Sequence, residues 1–266
     1  MDIEMMYNLQ SQTAVIIGGA RDLGYDMAEI LAAAGCAIAL SSRDAERAEI
    51  AAEKLRTTHK CEVLAAALDI CDHAQVVAFG NKVQAWQGSV EILVNNAGGG
   101  LDLQPTHFFE RDPQHIAQLI DTNLKGILYS CQVFGRKMAE RATGSIINIA
   151  SIAGLCGRDR RMYEQTGLLV QPIEYAAAKA GVIGATQDLA GLLSPKGVRV
   201  NAISPGGFER GQPQGFIDAY SNATPLGRMG QDGVDLKGAT LFLASPASAY
   251  ITGHNLVVDG GFTMWK

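Results

Sequence analysis

TAVIIGGARDLGYDMAEILAAAG, residues 13–35, runs from an apolar stretch through a glycine-rich turn into an amphipathic one with nothing in between. The run 13–18 shows no polar–apolar alternation, which marks a strand covered on both faces. Beyond the turn, Ala28, Leu31 and Ala32 share one helical face. A strand feeding a helix through glycines directs free backbone N–H groups and the positive end of the helix dipole at one spot. That spot is an anion site.

The same alternation continues outward. Further short apolar runs are CAIALS (36–41), EVLAAAL (62–68), EILVNN (91–96), SIINIA (145–150), VRVNAIS (198–204) and NLVVDG (255–260). Helix-like stretches such as DAERAEIAAEKLR and PIEYAAAKAGVIGATQDLAGLL separate them. Near-continuous apolar strands joined by helices predict an α/β fold, a doubly wound parallel sheet of about seven strands with helices on both faces. No linker-like tract or repeat divides the chain, so residues 1–266 read as a single domain. Its most loop-like part, GGFERGQPQGF (206–216), predicts a mobile flap over a ligand, extending to about residue 226.

Of the 266 residues, 47% are hydrophobic and 18% charged, ordinary for a compact domain with a large core. A net charge of -5 argues against nucleic acid as the main partner. No apolar run is long enough to span a bilayer, and the acidic start MDIEMMYNLQ does not read as a secretory signal. Cys36, Cys61, Cys71, Cys131 and Cys156 are scattered without a CxxC pair, which predicts reduced thiols in a cytoplasmic protein and no metal site.

Further motifs follow in order: GGARDLG (18–24), Asp69 after the third run, NNAG at 95–98, Asn123 in TNLKG, Ser151 in NIASIAG, YAAAK at 175–179, SPGG at 204–207 and VDGG at 258–261. Together they resemble the short-chain dehydrogenase/reductase family, in its single-domain, Rossmann-like branch. The similarity covers nearly the whole chain. The family's glycine motif is TGxxxGxG. Gly18 and Gly24 match it, Ile17 replaces the threonine, and Asp22 replaces the middle glycine. A carboxylate there should repel a pyrophosphate. Two accounts are open: Asp22 caps the following helix, or Arg210, where PGxIxT places a cofactor-contacting threonine, pairs with it. The resemblance implies a cofactor site of Gly18, Arg21, Asp22, Leu23, Gly24, Ser42, Arg43, Asp69, Ile70, Asn95, Ala97, Gly98, Tyr175, Lys179, Pro205, Gly206 and Phe208.

In dinucleotide folds an acid ending the second strand accepts the ribose 2′-OH and selects NAD. This chain has Ser42 there, followed by Arg43, with Arg21 in the glycine turn. Two arginines without a carboxylate suit a 2′-phosphate, so the expected cofactor is NADP(H) rather than NAD(H).

Two tyrosines, Tyr163 and Tyr175, stand near one lysine. A free phenol, with pKa about 10, is a poor proton shuttle at neutral pH. A lysine cation at ~6 Å and effective dielectric ~20 contributes roughly 2.8 kcal/mol, about two pKa units. Lys179 lies one helical turn beyond Tyr175, whereas the residue four beyond Tyr163 is Gly167, so the expected acid/base is Tyr175. The resemblance assigns Ser151 to the substrate oxygen, Lys179 also to the nicotinamide ribose, and Asn123 to a water linking Lys179 to solvent. Ser151 and Tyr175 are 24 positions apart, roughly twice the family's usual spacing. The extra residues, an inserted loop near 155–172, predict a wall of the substrate pocket that includes Tyr163. Arg158, Arg160 and Arg161 make it locally positive, which suits an anionic substrate such as a sugar acid or a phosphate-bearing thioester.

The implied activity is interconversion of a secondary alcohol and a ketone on a small polar substrate. The ending ITGHNLVVDGGFTMW resembles gluconate 5-dehydrogenase-like and related sugar-acid or polyol enzymes. The alternatives are a 3-oxoacyl-thioester (ACP/CoA) reductase, a sugar-nucleotide enzyme of the longer branch, for which too little chain follows Tyr175, and a non-catalytic NADP-binding sensor or scaffold. The resemblance also implies a homo-oligomer, tetramer or dimer, built on the helix carrying Tyr175 and its neighbour around 112–140.

Overall fold

The computed structural model describes residues 2–99 and 107–265. Seven parallel strands form one sheet: β1 (Thr13–Ile17), β2 (Ala37–Ser42), β3 (Val63–Ala67), β4 (Ile92–Asn95), β5 (Gly144–Ile149), β6 (Val198–Pro205) and, after two short strands, β9 (Asn255–Val258). Their order is β3-β2-β1-β4-β5-β6-β9. The apolar runs of the sequence are these strands.

Alternation within each run now has a physical content. Ala14 and Ile16 of β1 join one core cluster with Ile38, Leu40, Ile92 and Val94, while Val15, Ile17, Ala39 and Leu93 join the other. Successive side chains point to opposite faces, and both faces are apolar because both are covered. On the first face lie α2 (Asp22–Ala33), α3 (Ala45–His59) and α10 (Lys237–Ala244). The second carries α4 (His73–Gln87), α6 (Gly126–Glu140) and α8 (Ile173–Leu193). The short helix α1 (Ile3–Tyr7) precedes the sheet, and α5 (Pro113–Ile120) runs into α6 through a π-helical turn, Asp121–Lys125.

The order reverses between β1 and β4, since β1 pairs with β2 on one side and β4 on the other. Ligands of doubly wound sheets bind in the crevice beyond the strand ends at such a switch point. Two segments wall the crevice further out. The 155–172 segment contains a one-turn helix, α7 (Arg161–Glu164). The 206–226 segment contains α9 (Gln214–Asn222), and β7 (Phe208–Glu209) in it pairs with β8 (Gly230–Gln231). Part of the stretch expected as a flexible flap is therefore a helix pinned by aromatic packing.

Candidate active site

A cavity of about 750 Å³ extends from the glycine turn to Tyr175, a volume suited to a cofactor-sized ligand. At its near end, Gly18 has φ +80°, and a Cβ there would sit 2.8 Å from the Ala97 backbone. Asn96 closes this contact by donating from Nδ2 to the Gly18 oxygen at 2.8 Å. A side chain at Gly18 would therefore push the turn off the NNAG backbone, and the glycine keeps the two in contact at the mouth of the cavity. Gly24 does not line the cavity. A side chain there would overlap the Gly18 carbonyl, so its role is to let α2 approach the turn.

Asp22 does not cap α2. The cap position, with extended backbone, belongs to Arg21, which offers no acceptor, and Asp22 is one residue too late. Its backbone is left-handed, φ +50°, a conformation that glycine adopts without strain and an aspartate does not. The half-exposed carboxylate lies 3.6 Å from the Arg21 guanidinium. Nor does Arg210 pair with Asp22, because its Nε and Nη2 donate to Asp232 Oδ1 at 2.9 and 2.6 Å. At the end of β2, Ser42 accepts from the Asp44 N–H at 3.2 Å, leaving Arg43 and Arg47 on the cavity wall. Asp69, Ile70, Ala97, Gly98, Pro205, Gly206 and Phe208 line the cavity as expected.

Asn95 does not. Its side chain is fully buried under the sheet, donating to Asn148 Oδ1 at 2.9 Å and accepting from Ser130 Oγ at 2.6 Å. Asn148 continues to Thr186 Oγ1 of α8 at 3.0 Å. This satisfied polar chain ties β4 and β5 to α6 and α8, so Asn95 holds the scaffold and its neighbour Asn96 faces the site. Strand alternation carries the reason, since only the residue past the strand end turns into the crevice.

At the far end, Ser151, Tyr175, Lys179 and Asn123 come together. Ser151 follows β5, and its Oγ accepts from Ala153 N at 3.1 Å. Lys179, 3% exposed, donates from Nζ to the Ile149 oxygen at 2.7 Å. Asn123 lies in the π turn and is engaged by backbone throughout: Oδ1 accepts from Gly99 N at 3.0 Å, and Nδ2 donates to Gly99 O at 2.9 Å and Leu119 O at 3.0 Å. A Cβ on Gly98 would lie 2.5 Å from Asn123 Oδ1, so the NNAG turn packs directly on it.

The electrostatics differ from the sequence expectation. Burial pushes the Tyr175 phenol above its usual pKa, opposed by hydrogen bonding to Ser151, the Arg158 charge and hydrogen bonding to Gln171. Lys179 Nζ is 5.7 Å from the ring centroid. Burial pulls Lys179 down to about 8, which weakens its charge just above neutral pH. A second cation comes from the insertion: Arg158 Cζ stands 5.6 Å from the Tyr175 centroid.

Tyr163 is a wall residue. Its ring lies 5.0 Å from Phe216 of α9, and Phe216 continues to Tyr220 and Phe262. The insertion and the flap thus share one apolar cluster roofing the cavity. Gln171 was not anticipated from sequence; nothing in its local pattern distinguishes it. Among the described residues no group of three or more His, Cys, Asp or Glu is placed to hold a metal ion, and no helix is long and apolar enough to cross a membrane.

A glycine-cradled crevice at a switch point, ending on a serine, tyrosine and lysine, defines a dinucleotide-dependent oxidoreductase. Residues 18–263 match a family model described as enoyl-(acyl carrier protein) reductase. Over 257 residues the chain is 34% identical to a 3-oxoacyl-[acyl-carrier-protein] reductase of Chlamydia muridarum, covering 95% of this chain and 98% of that one. It is 31% identical to an L-tagatose-forming galactitol 2-dehydrogenase of Cereibacter sphaeroides, covering 100% of both. The crystal structure of a gluconate 5-dehydrogenase from Burkholderia cenocepacia, in complex with NADP and tartrate, superposes with a TM-score of 0.87 at 32% identity, covering 99% of each chain. The chain belongs to the short-chain dehydrogenase/reductase family, oxidoreductases acting on CH–OH and C=O groups.

Proposed function

We propose that this chain is an NADP(H)-dependent oxidoreductase that interconverts a secondary alcohol and a ketone on a small polar substrate, a sugar acid or polyol. The observation that carries this reading is one continuous cavity with the glycine turn, Arg21 and Arg43 at one end and Ser151, Tyr175 and Lys179 at the other. The nicotinamide supplies or accepts hydride when bound. Arg21 and Arg43 would hold a 2′-phosphate, and the N–H groups opening α2 would take the diphosphate. Lys179, buried against Ile149, would hold the nicotinamide ribose.

Tyr175 Oη gives its proton to the carbonyl oxygen in reduction and takes it back in oxidation. Burial raises its pKa and so favours the protonated phenol, the form reduction requires. Ser151 Oγ fixes the substrate oxygen beside it, and Asn123 holds the Gly98–Gly99 turn against Lys179. The 155–172 insertion and the 206–226 segment form the substrate roof of a single catalytic domain. We place the protein in the cytoplasm as a homo-oligomer, tetramer or dimer. Exposed Ile173 and Leu192 on α8 and Leu128 on α6 support an interface along those helices.

A 3-oxoacyl-thioester reductase is the second reading, favoured by the similarity to the chlamydial enzyme. NADPH oxidation against ketones, keto-sugar acids, polyol-derived ketoses and acetoacetyl thioesters separates the two. Turnover is expected with the small polar ketones and lost by about a thousandfold or more in Tyr175→Phe. Tight NADPH binding with no oxidation across the panel leaves a sensor or scaffold, and undiminished turnover in the variant removes Tyr175 from the mechanism.

A further inference from the structure

Of the three arginines in the insertion, only one enters the cavity as an unneutralised charge. Arg160 is exposed, and exposed Arg161 is held to Asp159 by a 2.6 Å Nη2–Oδ2 bridge. Arg158 turns inward and lines the cavity beside Tyr175. Among the described residues it forms no ion pair. Its only partners there are the backbone oxygen of Gln171, which accepts from Nη1 at 3.1 Å, and the Gln171 side-chain oxygen, which accepts from Nη2 at 2.8 Å. Since a guanidinium carries five N–H donors, most of the fork remains available. Burial pulls Arg158 below the usual arginine range, the direction expected for a cation removed from water without a counter-charge. Such an arrangement is unfavourable in the empty protein and becomes favourable when an anion docks.

We propose that Arg158 is the anion-recognition residue of the substrate pocket, and that the substrate is a small oxo or hydroxy acid whose carboxylate lies within a few bonds of the reacting carbon. This deepens the alcohol–ketone reading above and rests on it. Arg158 Cζ stands 5.6 Å from the Tyr175 ring centroid, so the fork and the phenol border the same part of the cavity. A carboxylate on the fork and a carbonyl oxygen at the phenol then belong to one compact molecule. The phosphate of an acyl thioester lies far along its pantetheine arm and does not meet this spacing. Gln171 is a positioning residue: it clamps two N–H groups and so aims the plane of the fork.

The test uses matched ketones, acetoacetate against acetoacetamide and 5-ketogluconate against L-sorbose, with parent, Arg158→Gln, Arg158→Lys and Gln171→Leu proteins and NADPH. The parent is expected to prefer the acid of each pair. Arg158→Gln should raise KM for the acids about a hundredfold, the range of a lost charge-assisted bidentate contact. KM for the neutral partners should stay within about threefold, because any effect of the charge on Tyr175 is common to both members of a pair and appears in kcat. Arg158→Lys should fall between, and Gln171→Leu should raise KM for the acids alone. Equal losses on acids and neutral ketones, or a parent that prefers the neutral member, overturn the proposal while the oxidoreductase reading stands. If the parent reduces none of the four, the small-polar-substrate reading fails. Recognition is then judged by thermal shift with tartrate in the presence of NADP⁺: a Tm rise abolished by Arg158→Gln sustains it, and no difference between the two proteins refutes it.

Discussion

Replacing Lys179 by methionine should abolish activity and yet stabilise the protein at neutral pH. Burial lowers the lysine from 10.5 to about 8. At pH 7 the charged ammonium therefore destabilises the folded state by about 3 kcal/mol relative to the unfolded chain. Against this stands the 2.7 Å bond to the Ile149 oxygen, whose loss leaves a buried carbonyl unpaired and costs about 1–2 kcal/mol. Methionine fills a similar volume, so the net gain at pH 7 is about 1–2 kcal/mol. The pH dependence separates this account from a general packing effect. Between about pH 8 and 10.5 the unfolded state holds the proton that the folded state has released, so parent stability attributable to this group rises with pH. The advantage of Lys179→Met should shrink across that window and reverse near its upper end, where a neutral amine still bonds Ile149. Urea denaturation of the cofactor-free proteins from pH 7 to 10 reads this directly, because contributions from all other groups cancel in the difference. A variant less stable than the parent at pH 7, or a gap that stays flat with pH, refutes the reasoning.

Ser42→Asp combined with Arg43→Ala should swing the NADPH/NADH ratio of kcat/KM by about a hundredfold toward NADH, through a lost charge-assisted contact and a new like-charge repulsion; steady-state kinetics with both cofactors decide it. Asp22→Asn keeps a residue that tolerates the left-handed backbone and removes its charge, so NADPH should bind about three- to tenfold tighter in low salt, with the gain fading at 0.5 M NaCl. Asp22→Gly should match it in calorimetry, and unchanged affinity in both would remove any electrostatic conflict at the glycine turn. Glu174 accepts from Arg111 Nε at 2.7 Å in a buried pair, and Glu174→Gln should lower stability by about 1–3 kcal/mol by turning that charge-assisted bond into a neutral one, read as a fall in the urea midpoint.

The fold was legible because each strand carries its own signature. Val15 and Ile16 point to opposite faces, yet both are apolar because helices cover both, so a run of six residues reports on two core layers at once. The grouping of the proposed catalytic residues was legible for a similar reason: Tyr175 and Lys179 are one helical turn apart, Ser151 follows directly from a strand end, and all three line the cavity. Errors arose where one residue of offset changes the outcome. Asn95 and Asn96 are adjacent and chemically identical, but the pleat sends one under the sheet and the other into the crevice. Asp22 follows the cap position rather than occupying it, and the resulting φ of +50° replaces a hydrogen bond with backbone strain.

What the sequence hides most is contact between distant segments. The roof of the cavity is made where Tyr163 of the insertion meets Phe216 of α9, and where Tyr220 stacks on Phe262 at 4.3 Å. No periodicity records such a meeting, because the partners lie in loops whose paths depend on the whole fold. The placement of Arg158 follows from the same packing: with α7 anchored on α9, the preceding residues are drawn over Tyr175, and Gln171 at the other end of the insertion catches the guanidinium. The insertion therefore does more than lengthen a loop. It delivers a second cation to the proposed catalytic phenol, 5.6 Å from its ring where Lys179 Nζ stands at 5.7 Å. Burial lowers Lys179, whereas a guanidinium keeps its charge across the neutral range, so Arg158 adds a positive charge beside Tyr175 from outside the family's motifs. On the proposed roles, proton transfer and substrate choice meet at one side chain, and a change in the insertion that moves Arg158 should alter both together.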